Sequence, residues 1–183
     1  MMNLKKYNIL TIPNILSLIR IALIPIIVWL YNNEYNLWAV LVIILSGLTD
    51  VVDGYIARHF NMISDLGKIL DPVADKLTQA ATLFCLISEF PFMIVPFSLL
   101  VVKEIFLSVM GLFVVKKTKV VKSANWHGKV TTFLLYFTII LHITWNNIPE
   151  AVSNMAIGAC LAFMGLSFVL YIMRNLNQLR EQK

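Results

Sequence analysis

Charged residues are scarce in this chain. Only 14% of its 183 residues are Asp, Glu, Lys or Arg, whereas 59% are hydrophobic and the mean hydropathy is +0.79. Soluble globular domains carry about 25% charged residues. The composition therefore favours an integral membrane protein, and the natural interpretation is one polytopic, all-α domain spanning residues 1–183.

Cysteine and histidine are also rare. Cys85 and Cys160 lie far apart in apolar segments, which argues against a disulfide framework and against a thiol metal site. The three histidines have no metal-ligand spacing. The net charge is +5, but no basic stripe is interleaved with exposed aromatic residues, so we expect no nucleic-acid partner.

Six apolar segments are candidates for membrane-spanning helices. A helix needs about 20 residues to cross a hydrocarbon core of about 30 Å. The fifth segment reaches that length only when it is extended to Trp126 and Trp145. A short interfacial helix is expected over residues 4–10, with Pro13 at the turn into the membrane. The segments are 15–31, 37–56, 66–87, 92–115, 130–143 and 151–173.

Lys and Arg are missing from the loops after the first, third and fifth segments. These loops contain Glu34, Glu89 and Glu150 instead. Because basic residues collect on the cytoplasmic side of a membrane, we predict cytoplasmic N- and C-termini and a multi-pass location in the cell membrane. The tract KKTKVVK, residues 116–122, favours contact with anionic membrane lipids.

Four aspartates interrupt the apolar pattern: Asp50, Asp53, Asp71 and Asp75. Charged groups at the edge of a hydrocarbon layer cost free energy and are usually retained because they bind something. The first two are three residues apart and the last two are four apart, so each pair occupies one face of a helix. The short link 61–64 predicts an antiparallel return that brings the two faces together. Converging carboxylates need cations between them, and oxygen ligands favour Mg²⁺ or Mn²⁺ where phosphate also binds.

The spacing of these residues resembles a family signature. The stretch reads Asp50-x2-Asp53-Gly54-x2-Ala57-Arg58-x8-Gly67-x3-Asp71-x3-Asp75, which is similar without a gap to the signature of the CDP-alcohol phosphotransferases, also called CDP-alcohol phosphatidyltransferases. The resemblance implies a homodimeric membrane enzyme with six transmembrane helices. Such an enzyme transfers a phosphatidyl group from CDP-diacylglycerol, or a related group from a CDP-alcohol, to a hydroxyl acceptor.

The resemblance also implies roles for the signature residues. Asp50, Asp53 and Asp71 would hold two divalent cations, Mg²⁺ or Mn²⁺. Asp75 would complete the shell of the second cation and act as the general base. The distribution of Lys and Arg predicts that the active site faces the cytoplasm, which suits a nucleotide-activated donor. The CDP moiety of the donor would be bound by Asp50, Asp53, Gly54, Ala57, Arg58 and Gly67.

Three basic residues outside the signature are candidates for contact with the acceptor's phosphate. Arg20 ends the string TIPNILSLIR, which is similar to the opening of the bacterial branch that accepts glycerol phosphate; a cation snorkelling to the headgroups is the alternative. Lys103 forms a charged pair with Glu104 inside the fourth segment, too deep for snorkelling alone to explain. Lys129 belongs to a Gly-Lys-x-x-Thr string that also resembles that branch.

The most similar branch is that of the bacterial phosphatidylglycerophosphate synthases, which use sn-glycerol 3-phosphate and release CMP. Members of that branch look to have an Arg-Glu pair in the fourth segment and a second Arg about two turns later. Here Lys103 replaces the first Arg, and Gly111 or a neighbour occupies the position of the second. A cardiolipin synthase with phosphatidylglycerol as acceptor, or another CDP-alcohol phosphotransferase, is therefore an open alternative. An ion-coupled transporter is the alternative from another class, but no inverted repeat or broken-helix pair is present.

Overall fold

The computed structural model describes residues 11–60, 67–118, 126–145 and 147–180. Within these ranges the chain forms α-helices, a short 3-10 helix over Pro91–Met93 and no strand, which confirms the all-α prediction. The interfacial helix predicted over 4–10 and the link 61–64 lie outside the described residues. The helices are α1 (Ile12–Asn32), α2 (Asn36–His59), α3 (Gly67–Leu86), α4 (Ile94–Thr118), α5 (Trp126–Thr144) and α6 (Glu150–Arg180).

The start of α1 is set by a capping residue. The Thr11 hydroxyl accepts a hydrogen bond from the Asn14 backbone N–H at 3.4 Å, and Pro13 occupies the first turn, where no intrahelical donor is needed. The helix ends at a tight turn in which Glu34 adopts a left-handed φ of 63°. The turn is only three residues long, Asn33 to Tyr35, and α1 packs along α2.

The interior face of α1 is largely polar in the first half of the helix, and its outer face is apolar. Asn14, Ser17 and Arg20 are buried, whereas Leu18 and Trp29 are among its exposed hydrophobic residues. A water-soluble helix shows the opposite arrangement. The pattern is that of a helix surrounded by lipid, in which polar groups face the protein interior.

Four helical stretches in the described residues are long and apolar enough to cross a membrane: Ile12–Asn32, Asn36–Ile56, Pro91–Gly111 and Glu150–Arg180. They support a multi-pass membrane protein. Six spans are predicted, and the two remaining helices, α3 and α5, are not among these four stretches. In α3 the sequence GKILDPVADKLTQAATLFCL includes four charged residues, and α5 has only 19 residues with a polar first turn.

The chain divides into two compact units, Met1–Cys85 and Leu86–Lys183. The first unit contains α1, α2 and nearly all of α3, and therefore the whole aspartate signature. In the second unit α4 and α5 each pack against α6. The predicted candidates Lys103 and Lys129 belong to this second unit.

Candidate active site

Three aspartates of the signature meet around one arginine in the first unit. Arg20 Nη1 donates to Asp50 Oδ1 at 2.6 Å and to Asp71 Oδ1 at 3.1 Å, and Arg20 Nη2 donates to Asp53 Oδ2 at 2.5 Å. One oxygen of each carboxylate lies within 4.8 Å of the others. The acidic faces of α2 and α3 therefore converge, and α1 contributes the cation between them. We call Arg20, Asp50, Asp53 and Asp71 the acidic cluster.

The acidic cluster has a buried side and an accessible side. The side chains of Arg20 and Asp53 are 1% and 2% exposed, whereas those of Asp50 and Asp71 are 43% and 42% exposed. A buried carboxylate costs free energy unless it is paired, and Arg20 supplies that partner. A ligand can therefore approach Asp50 and Asp71, but not Arg20.

The donor set of the acidic cluster fits a hard divalent cation. Asp53 Oδ1 is buried and has no hydrogen-bond partner, so one carboxylate oxygen is left for another ligand. The three aspartates offer only oxygen atoms, which Mg²⁺ and Mn²⁺ prefer. The residues present are therefore compatible with the divalent cations that the resemblance implies.

Asp75 lies one turn further along α3 and has hydrogen-bond and ion-pair partners on its own helix. Gln79 Nε2 donates to both carboxylate oxygens of Asp75 at 3.0 Å, and Lys76 Nζ lies 3.3 Å from Asp75 Oδ2. Asp75 is not a member of the three-carboxylate group found among the described residues. Sequence reasoning missed Gln79, although its position four residues after Asp75 on a helix was the available signal.

The residues predicted to bind CDP lie at the ends of α2 and α3 that carry the aspartates. Gly54 directly follows Asp53 in α2, and Gly67 is the first residue of α3. The backbones of Ala57 and Arg58 belong to α2, and their side chains lie outside the described part of the chain. Their roles toward CDP stay predictions.

In the second unit the two predicted lysines differ in burial. Lys103 on α4 is 5% exposed, and its Nζ lies 3.0 Å from Glu104 Oε1. Lys129 on α5 is exposed. A buried ammonium group needs polar neighbours, so Lys103 marks a polar region inside an apolar bundle.

Polar and aromatic side chains also connect α5 with α6, and we call His127, Ser167, Tyr171 and Arg174 the α5–α6 polar seam. His127 Nδ1 lies 3.0 Å from Ser167 Oγ, and the His127 and Tyr171 ring centroids are 4.6 Å apart. Arg174 Cζ lies 4.8 Å from the Tyr171 ring centroid. Sequence reasoning missed Arg174, whose signal was a cation directly after the sixth apolar segment.

Gly128 allows Tyr171 to approach α5. A Cβ atom at Gly128 would lie 2.5 Å from Tyr171 Oη but 3.4 Å from the nearest ring carbons. We expect the methyl group of Gly128→Ala to clash with the hydroxyl and to lower the free energy of unfolding by about 1–3 kcal/mol. This loss exceeds the ~1 kcal/mol by which Ala stabilises a helix relative to Gly. With Tyr171→Phe the conflict disappears, so the same alanine should be neutral or stabilising.

A double-mutant cycle of thermal unfolding in detergent measures this coupling. Tyr171→Phe alone is the matched control for loss of the hydroxyl. Equal effects of Gly128→Ala in the Tyr and Phe backgrounds would show that the close approach is absent.

Helices with apolar surfaces and a cluster of carboxylates that could hold a divalent cation are typical of one class of protein, the membrane enzymes that act on phosphates. Comparison with known proteins gives the family. The CDP-alcohol phosphatidyltransferase family model matches residues 10–172, and the chain belongs to this family.

The relatives fall into two groups by name. The CDP-diacylglycerol–glycerol-3-phosphate 3-phosphatidyltransferase of Aquifex aeolicus is 30% identical over 179 residues, which is 94% of this chain and 100% of that protein. The protein of the same name from Rickettsia bellii is 32% identical over 131 residues, 70% of this chain and 72% of that protein. The cardiolipin synthase (CMP-forming) of Streptomyces coelicolor is 46% identical over 82 residues, 42% of this chain but only 38% of that protein.

Proposed function

We propose that this protein transfers the phosphatidyl group of CDP-diacylglycerol to sn-glycerol 3-phosphate, releasing CMP and forming phosphatidylglycerophosphate. The observation that carries the proposal is the convergence of Asp50, Asp53 and Asp71, three signature residues from two helices, within 4.8 Å. The near full-length similarity to the Aquifex aeolicus protein supports glycerol phosphate as the acceptor.

Asp50, Asp53 and Asp71 would hold two divalent cations, Mg²⁺ or Mn²⁺, with Asp75 completing the shell of the second cation. Bound there, the cations would neutralise charge on the diphosphate of the donor and align it for in-line displacement. The accessible carboxylates Asp50 and Asp71 would meet the diphosphate first, because Asp53 is buried. Gly54, Ala57, Arg58 and Gly67 would complete the CDP site.

The reaction forms one phosphorus–oxygen bond and breaks another. The acceptor hydroxyl oxygen attacks the phosphorus that carries diacylglycerol, the bond from this phosphorus to the bridging oxygen breaks, and CMP leaves with that oxygen. Asp75 would orient the acceptor hydroxyl and receive its proton. The double hydrogen bond from Gln79 and the ion pair with Lys76 fix the Asp75 carboxylate for this role.

The acceptor's phosphate needs cations beyond those that hold the donor. We assign Lys103 and Lys129 of the second unit to this phosphate, and we add Arg174 of the α5–α6 polar seam as a further cation of that unit. The sequence also predicted Arg20 at this phosphate, but we do not include it in the proposed acceptor site. In the described structure both of its terminal nitrogens contact carboxylates.

A cardiolipin synthase is the second candidate, favoured by the 46% identity to the Streptomyces coelicolor protein over 82 residues. Its acceptor, phosphatidylglycerol, carries a phosphodiester that the same cations could bind. An ion-coupled transporter would need neither substrate. CMP release from CDP-diacylglycerol by the purified protein, dependent on the acceptor added, tests the proposal; absence of CMP with every acceptor would exclude both phosphatidyltransferases.

The proposal includes a membrane arrangement. The six apolar segments favour six spans, and the distribution of Lys and Arg favours cytoplasmic termini and a cytoplasmic active site in the cell membrane. We treat residues 1–183 as one functional domain that forms a homodimer surrounded by membrane lipids. Labelling of Glu34→Cys by a membrane-impermeant maleimide in intact cells tests the orientation. A monomeric mass by native mass spectrometry in mild detergents would contradict the dimer.

A further inference from the structure

Arg20 is the one residue of the acidic cluster that contributes no ligand oxygen. Its guanidinium contacts the carboxylates of Asp50, Asp53 and Asp71, and so joins α1 to α2 and α3. We propose that Arg20 is a positioning residue that holds these three aspartates in the arrangement that binds a divalent cation. This inference rests on the proposed function, because it takes the three aspartates as cation ligands.

The pattern of oxygen contacts distinguishes positioning from competition. Arg20 contacts Oδ1 of Asp50, Oδ2 of Asp53 and Oδ1 of Asp71, so it uses one oxygen of each carboxylate. The second oxygen of Asp53 is buried and has no hydrogen-bond partner. If the guanidinium simply occupied the position of a cation, we would expect it to contact this oxygen, Asp53 Oδ1, as well.

The burial of the cluster leads to the same conclusion. Arg20 is 1% exposed, whereas Asp50 and Asp71 are more than 40% exposed. A cation from water would approach the accessible carboxylates of Asp50 and Asp71 before the buried Arg20 and Asp53. Arg20 therefore forms the inner wall of the site and does not have to leave when a cation binds.

Repulsion among the three carboxylates is a further reason for a positioning cation beside them. Three carboxylates with oxygens within 4.8 Å repel one another, and Asp53 is almost fully buried. The fork of the guanidinium satisfies three acceptors in fixed directions, which a lysine ammonium does less well. Groups that orient ligating carboxylates in this way typically contribute roughly 10- to 100-fold to metal affinity.

The test measures Mn²⁺ binding directly, by electron paramagnetic resonance of the full-length protein in detergent without substrates. We expect Arg20→Gln to weaken Mn²⁺ binding by roughly 10- to 100-fold and Arg20→Lys to restore part of the loss. Ser17→Ala is the matched control, since Ser17 is buried on the same helix three residues earlier and its hydroxyl donates to the Pro13 carbonyl. It should leave Mn²⁺ binding unchanged.

Steady-state kinetics separate the remaining explanations. We expect the Mn²⁺ concentration for half-maximal rate to rise in Arg20→Lys, while the KM for glycerol phosphate at saturating Mn²⁺ stays close to that of the unmodified protein. Tighter Mn²⁺ binding in either variant would show competition and overturn the inference. Unchanged Mn²⁺ binding with a raised KM for glycerol phosphate would place Arg20 at the acceptor and also overturn it.

The inference and the proposed function can fail separately. The binding measurement needs no substrate. If the Arg20 variants bind Mn²⁺ more weakly, as predicted, but the protein shows no phosphatidyl transfer, only the proposed function is contradicted. If Arg20→Gln does not give a monodisperse protein, Arg20→Lys decides the matter alone. Mn²⁺ binding and activation by Arg20→Lys equal to those of the unmodified protein would then overturn the inference.

Discussion

Asp50→Asn and Asp71→Asn are each expected to lower turnover by about 10³-fold while the protein still inserts and folds. A bound divalent cation contributes several kcal/mol to the transition state of phosphoryl transfer, and each 1.36 kcal/mol is about tenfold in rate. Both carboxylates are more than 40% exposed, so loss of the charge should cost the fold little. The measurement is CMP release at saturating Mg²⁺, with gel filtration as the check on folding.

Glu150→Gln is the matched control for this prediction. It removes one carboxylate charge at the exposed start of α6, outside the acidic cluster, and should leave turnover unchanged. Chelation by EDTA should abolish activity, and added Mg²⁺ or Mn²⁺ should restore it. Turnover near that of the unmodified protein in either Asn variant would contradict a role for these aspartates in metal-dependent catalysis.

The second large effect is expected at the acceptor site. Lys103→Ala and Lys129→Ala should raise the KM for glycerol phosphate by about 10- to 100-fold, because a hydrogen bond to a charged group contributes about 1.5–3 kcal/mol. The KM for CDP-diacylglycerol should change far less. The effect at Lys103 should be the larger, since Lys103 is 5% exposed and Lys129 is exposed to solvent screening.

Arg180→Ala controls for general loss of positive charge, because Arg180 is exposed at the end of α6. Arg174→Ala should behave like the lysine variants if the α5–α6 polar seam contributes to the same phosphate. Unchanged glycerol phosphate dependence in both lysine variants would contradict the acceptor assignment, whatever the product of the reaction.

Hydropathy predicted the helices well and their ends less well. The sixth segment was predicted over 151–173, but α6 continues to Arg180. The difference has a physical reason: an apolar run ends where the hydrocarbon layer ends, whereas backbone hydrogen bonding continues into the polar residues beyond it. In the same way α2 continues past Ile56 to His59, and the cap at Thr11 starts α1 three residues before the predicted segment.

The acidic cluster could be predicted only in part. Spacings of three and four residues placed each aspartate pair on one helix face, and the structure brings Asp50, Asp53 and Asp71 together. No local pattern connects Arg20 with carboxylates 30 to 51 positions later in the chain. That contact depends on how α1 packs along α2, which the sequence pattern does not encode. The family signature predicted the roles of the aspartates, but not that Arg20 contacts three of their carboxylates.

The most direct test of the central claim identifies the lipid product. The purified protein receives radiolabelled CDP-diacylglycerol and Mg²⁺ with one acceptor at a time: sn-glycerol 3-phosphate, phosphatidylglycerol, serine or inositol phosphate. We predict label in phosphatidylglycerophosphate with glycerol phosphate, in step with CMP release, and no comparable product with the other three. Turnover only with phosphatidylglycerol, giving labelled cardiolipin, would contradict the proposed acceptor.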